Sequence, residues 1–330
     1  MHELIKSLVE TNGPSGFEEK VRKVVEGAVA GLLAETSVDA LGNLIARYKG
    51  DGSGQKIMIA AHMDEIGVMA THITEKGFLR FTNIGGFGTN ALVGAQIQFL
   101  NGIVGVIAAE KAEPSTKVQS LDKHYIDVGA SAPENCPVEV GMAGAFVGSF
   151  RQQETRLIGK SMDDRIGCTV LIETLRRLDG SPHDLYFVFS TQEEVGTRGA
   201  QTVANTIQPD IGLAVDVTWT GDTPGSRDLS VAVADGPAIK VKDAGMIAHV
   251  GLVRHMRSTA EKAEIPYQLE VIEGGTTDAR SMQIAGSGCA AGCISIPCRY
   301  VHTRSEVVDI NDVENGIRLL TALLSNPVDL

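Results

Sequence analysis

The chain has 330 residues, of which 43% are hydrophobic and 21% are charged, and its formal net charge is −12. These values are typical of globular proteins and argue against intrinsically disordered and fibrous classes. An acidic chain without a basic run repels phosphate backbones, so nucleic acid is not an expected partner.

The opening segment, MHELIKSLVETNG, carries acidic residues and lacks the apolar stretch of a secretion signal. No apolar run is long enough to cross a membrane, so a membrane is not an expected partner either. The five cysteines form no paired CxxC motifs, which argues against a disulfide framework and against a zinc ribbon. The sequence therefore predicts a cytoplasmic protein with reduced thiols.

The first part of the chain predicts one helix and two strands. Residues 17–32 place apolar side chains at helical spacing, with acidic residues in the first turn. Residues 43–48 and 56–61 read as strands. The second of these runs is almost wholly apolar, which is typical of a strand buried in the centre of a sheet.

The pattern changes over residues 67–155. Short β-type runs are separated by glycine-rich turns such as IGGFG, and no helix of three turns is indicated. The predicted strands lie at 77–82, 96–100, 102–108, 125–128 and 145–147. We expect a small β-rich domain here, inserted into a larger domain formed by residues 1–66 and 156–330.

Strands and helices alternate again after about residue 156. Helices are predicted over 165–178, 197–206, 250–263 and 312–324, and strands over 185–190, 211–217 and 292–296. Such alternation predicts an α/β fold with a mostly parallel mixed sheet and helices on both faces.

Candidate metal ligands lie where the predicted strands end. They are His62 and Asp64, Glu193 and Glu194, Asp216, His302 and, just before a helix, Asp163. Singly, such residues are usually structural histidines, surface glutamates or helix caps. Open α/β sheets, however, bring the carboxyl ends of their strands to one edge. Two histidines and several carboxylates at one edge match the ligands of zinc, cobalt or manganese.

The segments that contain these residues resemble the tetrahedral aminopeptidase family. That family includes glutamyl, leucyl and lysyl aminopeptidases and proteins once labelled endoglucanases. The resemblance covers essentially the whole chain in the right order. Its motifs are DALGNLIA (39–46), AAHMDEIG (60–67), GKSMDDRIGC (159–168), STQEEVGTRGA (190–200), AVDVT (214–218), EGGTTDA (273–279) and PCRYVHT (297–303).

The resemblance implies two divalent metal ions per subunit, zinc or cobalt, with manganese as a further option. Asp163 would bridge the two ions and would have a cis peptide bond to Asp164. The remaining ligands would be His62 and Asp216 at one ion, and Glu194 and His302 at the other.

The resemblance also implies two roles beside the metals. Glu193 would be the general base that acts on the bridging water and passes the proton to the leaving amine. Asp64 would hold the ring of His62 in the tautomer that binds metal. The implied activity is removal of N-terminal residues from short peptides.

Three other functions stay open from the residues alone. A dinuclear deacylase of N-acyl amino acids would share the fold and the metals and differ only in substrate. A glycoside hydrolase fits less well, because aromatic residues make up only 5% of the chain and glycosidases need no histidine ligands. A metal-binding assembly protein would have no use for Glu193 as a base.

The β-rich segment 67–155 resembles the dimerisation domain of the family. A sheet face without helices over it tends to be buried against a partner. We therefore expect a homodimer as the building block and, by resemblance, a closed tetrahedral dodecamer that admits short peptides.

Overall fold

The computed structural model describes residues 1–32, 35–111, 118–226 and 228–330. Residues 112–117 of the predicted β-rich segment therefore lie outside the described residues. None of the described helices is long and apolar enough to cross a membrane.

The four helices predicted after residue 156 are present with similar bounds, and the helix predicted over 17–32 is shorter, at Glu19–Val29. The helices at His2–Glu10 and Asp278–Gln283 were not predicted. The α-helices of the described residues are α1 (His2–Glu10), α2 (Glu19–Val29), α3 (Met162–Arg177), α4 (Arg198–Ile207), α5 (Val250–Lys262), α6 (Asp278–Gln283) and α7 (Ile310–Leu324). Short 3-10 turns lie at Thr89–Ala91, Leu121–Lys123 and Pro133–Asn135.

The strands fall into two groups, one in a large sheet and one in a barrel. The sheet strands are β1 (Glu35–Val38), β2 (Leu44–Lys49), β3 (Lys56–His62), β10 (Arg151–Gln153), β11 (Arg156–Gly159), β12 (Asp184–Ser190), β13 (Ile211–Thr218), β14 (Ala238–Lys242), β15 (Gln268–Val271), β16 (Ala290–Arg299) and β17 (Glu306–Asp309). The barrel strands are β4 (Gly67–Ile73), β5 (Leu79–Ile84), β6 (Gln96–Phe99), β7 (Val104–Ala109), β8 (His124–Asp127) and β9 (Ala143–Phe146).

The large sheet has the order β1–β2–β12–β3–β13–β16–β17–β11–β10, with β14 beside β16 and β15 beside β14. Its four central strands, β12, β3, β13 and β16, are parallel. Most of the pairings outside this centre are antiparallel. The mixed α/β sheet confirms the predicted fold class.

Helices cover both faces of this sheet. Successive side chains of a strand point to opposite faces. On β3, Ile57 and Ile59 pack in a core that includes residues of α3 and α7. Met58 and Ala60 pack in a second core with residues of α4 and α6. Because both faces of β3 are buried, its sequence is continuously apolar rather than alternating.

Strands β4 to β9 close into a separate barrel in the order β4–β5–β8–β7–β6–β9. The barrel has its own apolar core, which includes Val68, Ile97, Phe99, Ile107 and Ile126. In its described part only short 3-10 turns interrupt the strands, as the sequence predicts. The barrel begins directly after β3, so it starts at the carboxyl edge of the parallel strands.

The barrel also touches this edge at the end of β5. Gly85 has a φ of +72°, and a Cβ built on it would lie 2.9 Å from Ile66 Cγ2 and 3.1 Å from Glu194 Oε2. A larger residue would therefore be strained and would crowd a predicted metal ligand. The end of β5 thus forms part of the wall around the sheet edge where the predicted ligands lie.

Candidate metal centre

His62 is the last residue of β3, and its side chain is buried. Its Nε2 lies 2.9 Å from Asp163 Oδ1, 3.9 Å from Glu193 Oε2 and 4.0 Å from Asp216 Oδ1. Its Nδ1 lies 3.0 Å from the backbone oxygen of Asp64 and 3.5 Å from the Asp64 carboxylate. The nearer partner of Nδ1 is therefore the backbone carbonyl, which leaves Nε2 facing the acidic residues.

The Asp64 carboxylate also holds the turn that follows β12. It accepts hydrogen bonds from the backbone N–H of Glu193 at 2.9 Å, from that of Glu194 at 3.2 Å and from the Ser15 hydroxyl at 2.6 Å. Burial opposes its ionisation, but hydrogen bonding to His62 and these other groups lowers the pKa of Asp64. Asp64 thereby fixes the backbone of both glutamates.

Asp163 lies at the start of α3, between the two histidines. Its Oδ1 is 2.9 Å from His62 Nε2, and its Oδ2 is 3.2 Å from His302 Nε2. His302 Nε2 also lies 3.2 Å from Glu194 Oε2. The peptide bond from Asp163 to Asp164 is cis, as the resemblance implies.

The potential ligand atoms form two clusters, and within each the atoms lie no more than 4.8 Å apart. The clusters are His62, Asp164 and Asp216, and Asp163, Glu194 and His302. All five predicted ligands are thus brought together, and Asp164 joins them although the sequence gives it no metal role. The Asp164 carboxylate already accepts hydrogen bonds from the backbone N–H of His62 at 3.2 Å and of Gly167 at 3.0 Å.

Several buried carboxyl groups lie close together between these residues. Burial raises the pKa of Glu193 and of Asp216 well above the usual carboxylate range, and neighbouring carboxylates add to the rise. Burial also raises the pKa of Glu194, whose Oε1 is buried without a hydrogen-bond partner in the part of the chain that the structure describes. Although burial would lower it, hydrogen bonds to Asp163 and Glu194 raise the pKa of His302 to about 12.

The donor atoms of this site and the carboxylate oxygen of Glu194, unpartnered among the described residues, fit bound divalent cations. The donor set is imidazole nitrogen and carboxylate oxygen, which zinc, cobalt and manganese accept. A buried carboxylate oxygen without a partner is costly, and a bound cation would remove that cost. The residues present therefore fit the ions that the sequence implies.

Three residues at or near the candidate ligands have left-handed backbone angles, which non-glycine residues rarely adopt. They are Ser161, with a φ of 55°, Gln192, with 57°, and His302, with 62°. Such conformations cost roughly 1–3 kcal/mol each and persist where the surroundings fix them. A buried glutamate binds each one: Glu65 accepts from Ser161 Oγ at 2.5 Å, Glu18 from Gln192 N at 3.1 Å and Glu306 from His302 N at 2.8 Å.

Glu306 binds two ligand segments at once, since it also accepts from the backbone N–H of Asp163 at 3.1 Å. Burial and repulsion from Asp163 raise the pKa of Glu306 to about 8. Sequence reasoning assigned no role to Glu18, Glu65 or Glu306. The signal for Glu65 was its place in the AAHMDEIG motif, whereas nothing in the sequence distinguishes the other two.

Glu65 is the centre of a buried ion network. It accepts from Lys160 Nζ at 2.6 Å and from the backbone N–H of Gly13 at 2.8 Å, and Arg165 Nη2 lies 3.4 Å away. Burial would raise its pKa, but Lys160 and Arg165 lower it. The network joins the loop after α1, the exit of β3 and the segment that leads to Asp163.

A cavity of about 350 Å³ opens beside the candidate ligands. Its lining includes the five candidate ligands and Glu193, together with Thr218, Trp219, Lys240, Ile272 and Thr277. Asp278 is buried nearby and accepts a hydrogen bond from Ser190 Oγ, and burial raises its pKa to about 6. Sequence reasoning missed Lys240 and Asp278, although the EGGTTDA motif contains the latter.

Comparison with known protein families decides between the open functions. The family model for M42 glutamyl aminopeptidases matches residues 42–319. The chain belongs to this M42 family.

Related aminopeptidases align with this M42 enzyme along nearly its whole length. It is 37% identical to a lysyl aminopeptidase of Pyrococcus furiosus, over 99% of this chain and 98% of that protein. An aminopeptidase structure from the archaeon Desulfurococcus kamchatkensis superposes with a TM-score of 0.94 at 39% identity, covering 98% and 94% of the two chains. The TET1 peptidase of Pyrococcus horikoshii, described as assembling into a tetrahedron or a large octahedral shell, has a TM-score of 0.88 at 32% identity, covering 98% of each chain.

Membership of the M42 family confirms that the chain is a peptide hydrolase of the aminopeptidase type. It supports that function over the deacylase, glycoside hydrolase and assembly-protein alternatives. The M42 family also implies divalent metal ions, for which the two clusters of ligand atoms are the candidate positions.

The buried network around Glu65 predicts a specific instability in this M42 enzyme. Lys160→Met should lower the free energy of unfolding by about 3–5 kcal/mol, because it removes one partner of a buried ion pair. Lys23→Met is the matched control, since Lys23 pairs with Glu19 on the surface and exposed pairs contribute little. Urea denaturation followed by circular dichroism measures both. A Lys160→Met midpoint equal to that of Lys23→Met would contradict the role given to the network.

Proposed function

We propose that this aminopeptidase binds two divalent ions and uses Glu193 as the base that activates water. The ligands would be His62, Asp163, Glu194, Asp216 and His302. The observation that carries the proposal is the position of the Asp163 carboxylate, with one oxygen 2.9 Å from His62 Nε2 and the other 3.2 Å from His302 Nε2. A carboxylate with one oxygen on each side can serve two ions at once.

Asp163 is a better bridge than its neighbour Asp164. The Asp164 oxygens are occupied by two backbone N–H groups, so that side chain is better placed to fix the backbone than to bind metal. Asp163 faces both histidines, and its backbone N–H donates a hydrogen bond to the Glu306 carboxylate. One ion would then lie with His62 and Asp216, and the other with Glu194 and His302.

The ions would be zinc or cobalt, with manganese as a further possibility, since all three accept nitrogen and oxygen ligands. When bound, they would lower the pKa of a water molecule and polarise the scissile carbonyl group. The remaining steps fall to side chains of the chain itself.

Glu193 is the candidate general base. It lines the cavity but belongs to neither cluster of ligand atoms, and its backbone is fixed by Asp64. Burial raises its pKa, which brings a carboxylate closer to the range useful for proton transfer. Glu193 would take a proton from the attacking water and give it to the departing amine as the C–N bond breaks.

Substitution of each of the two adjacent glutamates should have a different effect. Glu193→Gln should retain metal and lose at least about 100-fold in turnover, because a general base typically contributes that much. Glu194→Gln should lose metal, since it removes a ligand oxygen. Turnover of leucyl p-nitroanilide, with N-acetyl-leucine as the comparison substrate, and metal analysis of the same samples test both statements.

Two results would count against this division of roles. Near wild-type turnover in Glu193→Gln would remove Glu193 as the base. Cleavage of the N-acetylated substrate in preference to the free amine would favour the deacylase.

We further infer that the segment 67–155 is a dimerisation domain beside a catalytic domain of residues 1–66 and 156–330. The described part of the barrel exposes several apolar side chains, namely Val93, Val104, Val106 and Val140. Such residues are often covered by a partner. Dimers would assemble into a closed tetrahedral dodecamer, as the similarity to the TET1 peptidase supports, and short peptides would be the substrates.

We place this activity in the cytoplasm. All five cysteines are free thiols, which is the state that reducing compartments maintain.

The assembly has its own test. Light scattering coupled to size exclusion should give a single discrete oligomer for the wild-type chain, because closed symmetry limits growth. Val106→Glu should lower the mass, whereas Val38→Glu should not. The two valines are similarly exposed, at 42% and 46%, but only Val106 is in the barrel. A monomer at micromolar concentration would contradict the assembly, and equal behaviour of the two variants would contradict its location on the barrel.

A further inference from the structure

A buried ion pair lies at the wall of the same cavity, where Lys240 is one of the lining residues. Lys240 on β14 and Glu270 on β15 are direct partners in the register of the two strands. Lys240 Nζ donates to Glu270 Oε1 at 2.7 Å, and the Thr218 hydroxyl donates to the same oxygen. Lys240 is 1% exposed and Glu270 is fully buried.

Neither Lys240 nor Glu270 is a candidate metal ligand, and neither takes part in the proposed proton transfer. Lys240 lines the cavity, together with Trp219 and Ile272. Glu270 Oε2 has no hydrogen-bond partner in the described ranges. Burial would lower the pKa of Lys240, but Glu270 raises it, so the lysine stays charged and the pair as a whole is neutral.

The substrate side chain is the group that this wall would meet. A peptide whose first carbonyl lies at the metal ligands must place its N-terminal side chain in the same cavity. Trp219 and Ile272 offer apolar surface, and Thr276 and Thr277 add hydroxyl groups. The volume of about 350 Å³ must hold both the reacting groups and this side chain, so the space suits a side chain of moderate size.

A charged side chain would disturb the balance of the pair. Lys240 alone would attract aspartate or glutamate. Glu270 already neutralises Lys240, however, and the second carboxylate oxygen of Glu270 would repel another carboxylate. Lysine or arginine would meet the ammonium group of Lys240. Like charges brought together in a desolvated site are strongly disfavoured, so both classes of charged residue are opposed.

From this arrangement we infer that the Lys240–Glu270 pair selects substrates with an uncharged N-terminal side chain about the size of leucine or methionine. The inference rests on the proposed aminopeptidase function and adds the substrate class. Each partner cancels the preference that the other would create. Loss of either partner should therefore admit one class of charged substrate, and the class should depend on which partner is lost.

The test compares kcat/KM for leucyl, methionyl, glutamyl and lysyl p-nitroanilides. The wild-type enzyme should prefer the first two. Glu270→Gln keeps the shape but leaves Lys240 uncompensated, so the glutamyl-to-leucyl ratio should rise roughly tenfold or more. Lys240→Met leaves Glu270 uncompensated, so the lysyl-to-leucyl ratio should rise by a similar factor.

Lys242→Met is the matched control. Lys242 is on the same strand and partly exposed, and its Nζ donates only to the backbone oxygen of Asp243 among the described residues. Both ratios should stay at the wild-type value in this variant. Because each ratio is taken within one preparation, a smaller folded fraction in a variant cancels out.

The outcomes separate this inference from the function on which it rests. A wild-type preference for glutamyl or lysyl substrates overturns the inference and leaves the aminopeptidase intact. So do ratios in Glu270→Gln and Lys240→Met that match those of Lys242→Met. Failure to cleave any of the four substrates, in a metal-loaded sample, overturns both. If one variant yields no folded protein, the ratios in the other variant decide.

Discussion

Repulsion among buried carboxylates at one edge of the sheet is the constraint on which the rest of this structure depends. The fold resolves it in two ways. One set of carboxylates, which includes Asp64, Asp164 and Glu306, is held by backbone N–H groups. A second set, Asp163, Glu194 and Asp216, faces two histidines and a cavity. The first set fixes the loops, and the second is left for cations to neutralise.

The backbone around the site follows from the same division. Left-handed residues at Ser161, Gln192 and His302 would be unfavourable alone, but each is bound by a buried glutamate. Strain of this kind commonly gathers at functional sites, where the surrounding structure fixes it. The barrel contributes to the wall around the site, because Gly85 lets the end of β5 approach Glu194. The barrel that we expect to mediate assembly thereby approaches a candidate metal ligand at the end of β5.

The elements that sequence reasoning found are those with a strong local pattern. The strands β3, β12 and β13 were predicted because burial on both faces makes them continuously apolar, and His62 and Asp216 were predicted because they lie at the ends of such strands. Edge strands such as β1, whose residues are all exposed, have no such pattern and were missed. Strand β4 was missed as well. Glu18, Glu306 and the Lys240–Glu270 pair act through contacts between segments far apart in the chain, which no local pattern records.

The central claim is that two divalent ions lie on either side of Asp163. The most direct measurement is anomalous X-ray diffraction from crystals of the metal-loaded enzyme, collected above and below the absorption edge of the bound metal. We predict two anomalous peaks, one beside His62 and Asp216 and one beside Glu194 and His302, with the Asp163 carboxylate between them. A single peak, or two peaks bridged by Asp164 instead, would contradict it.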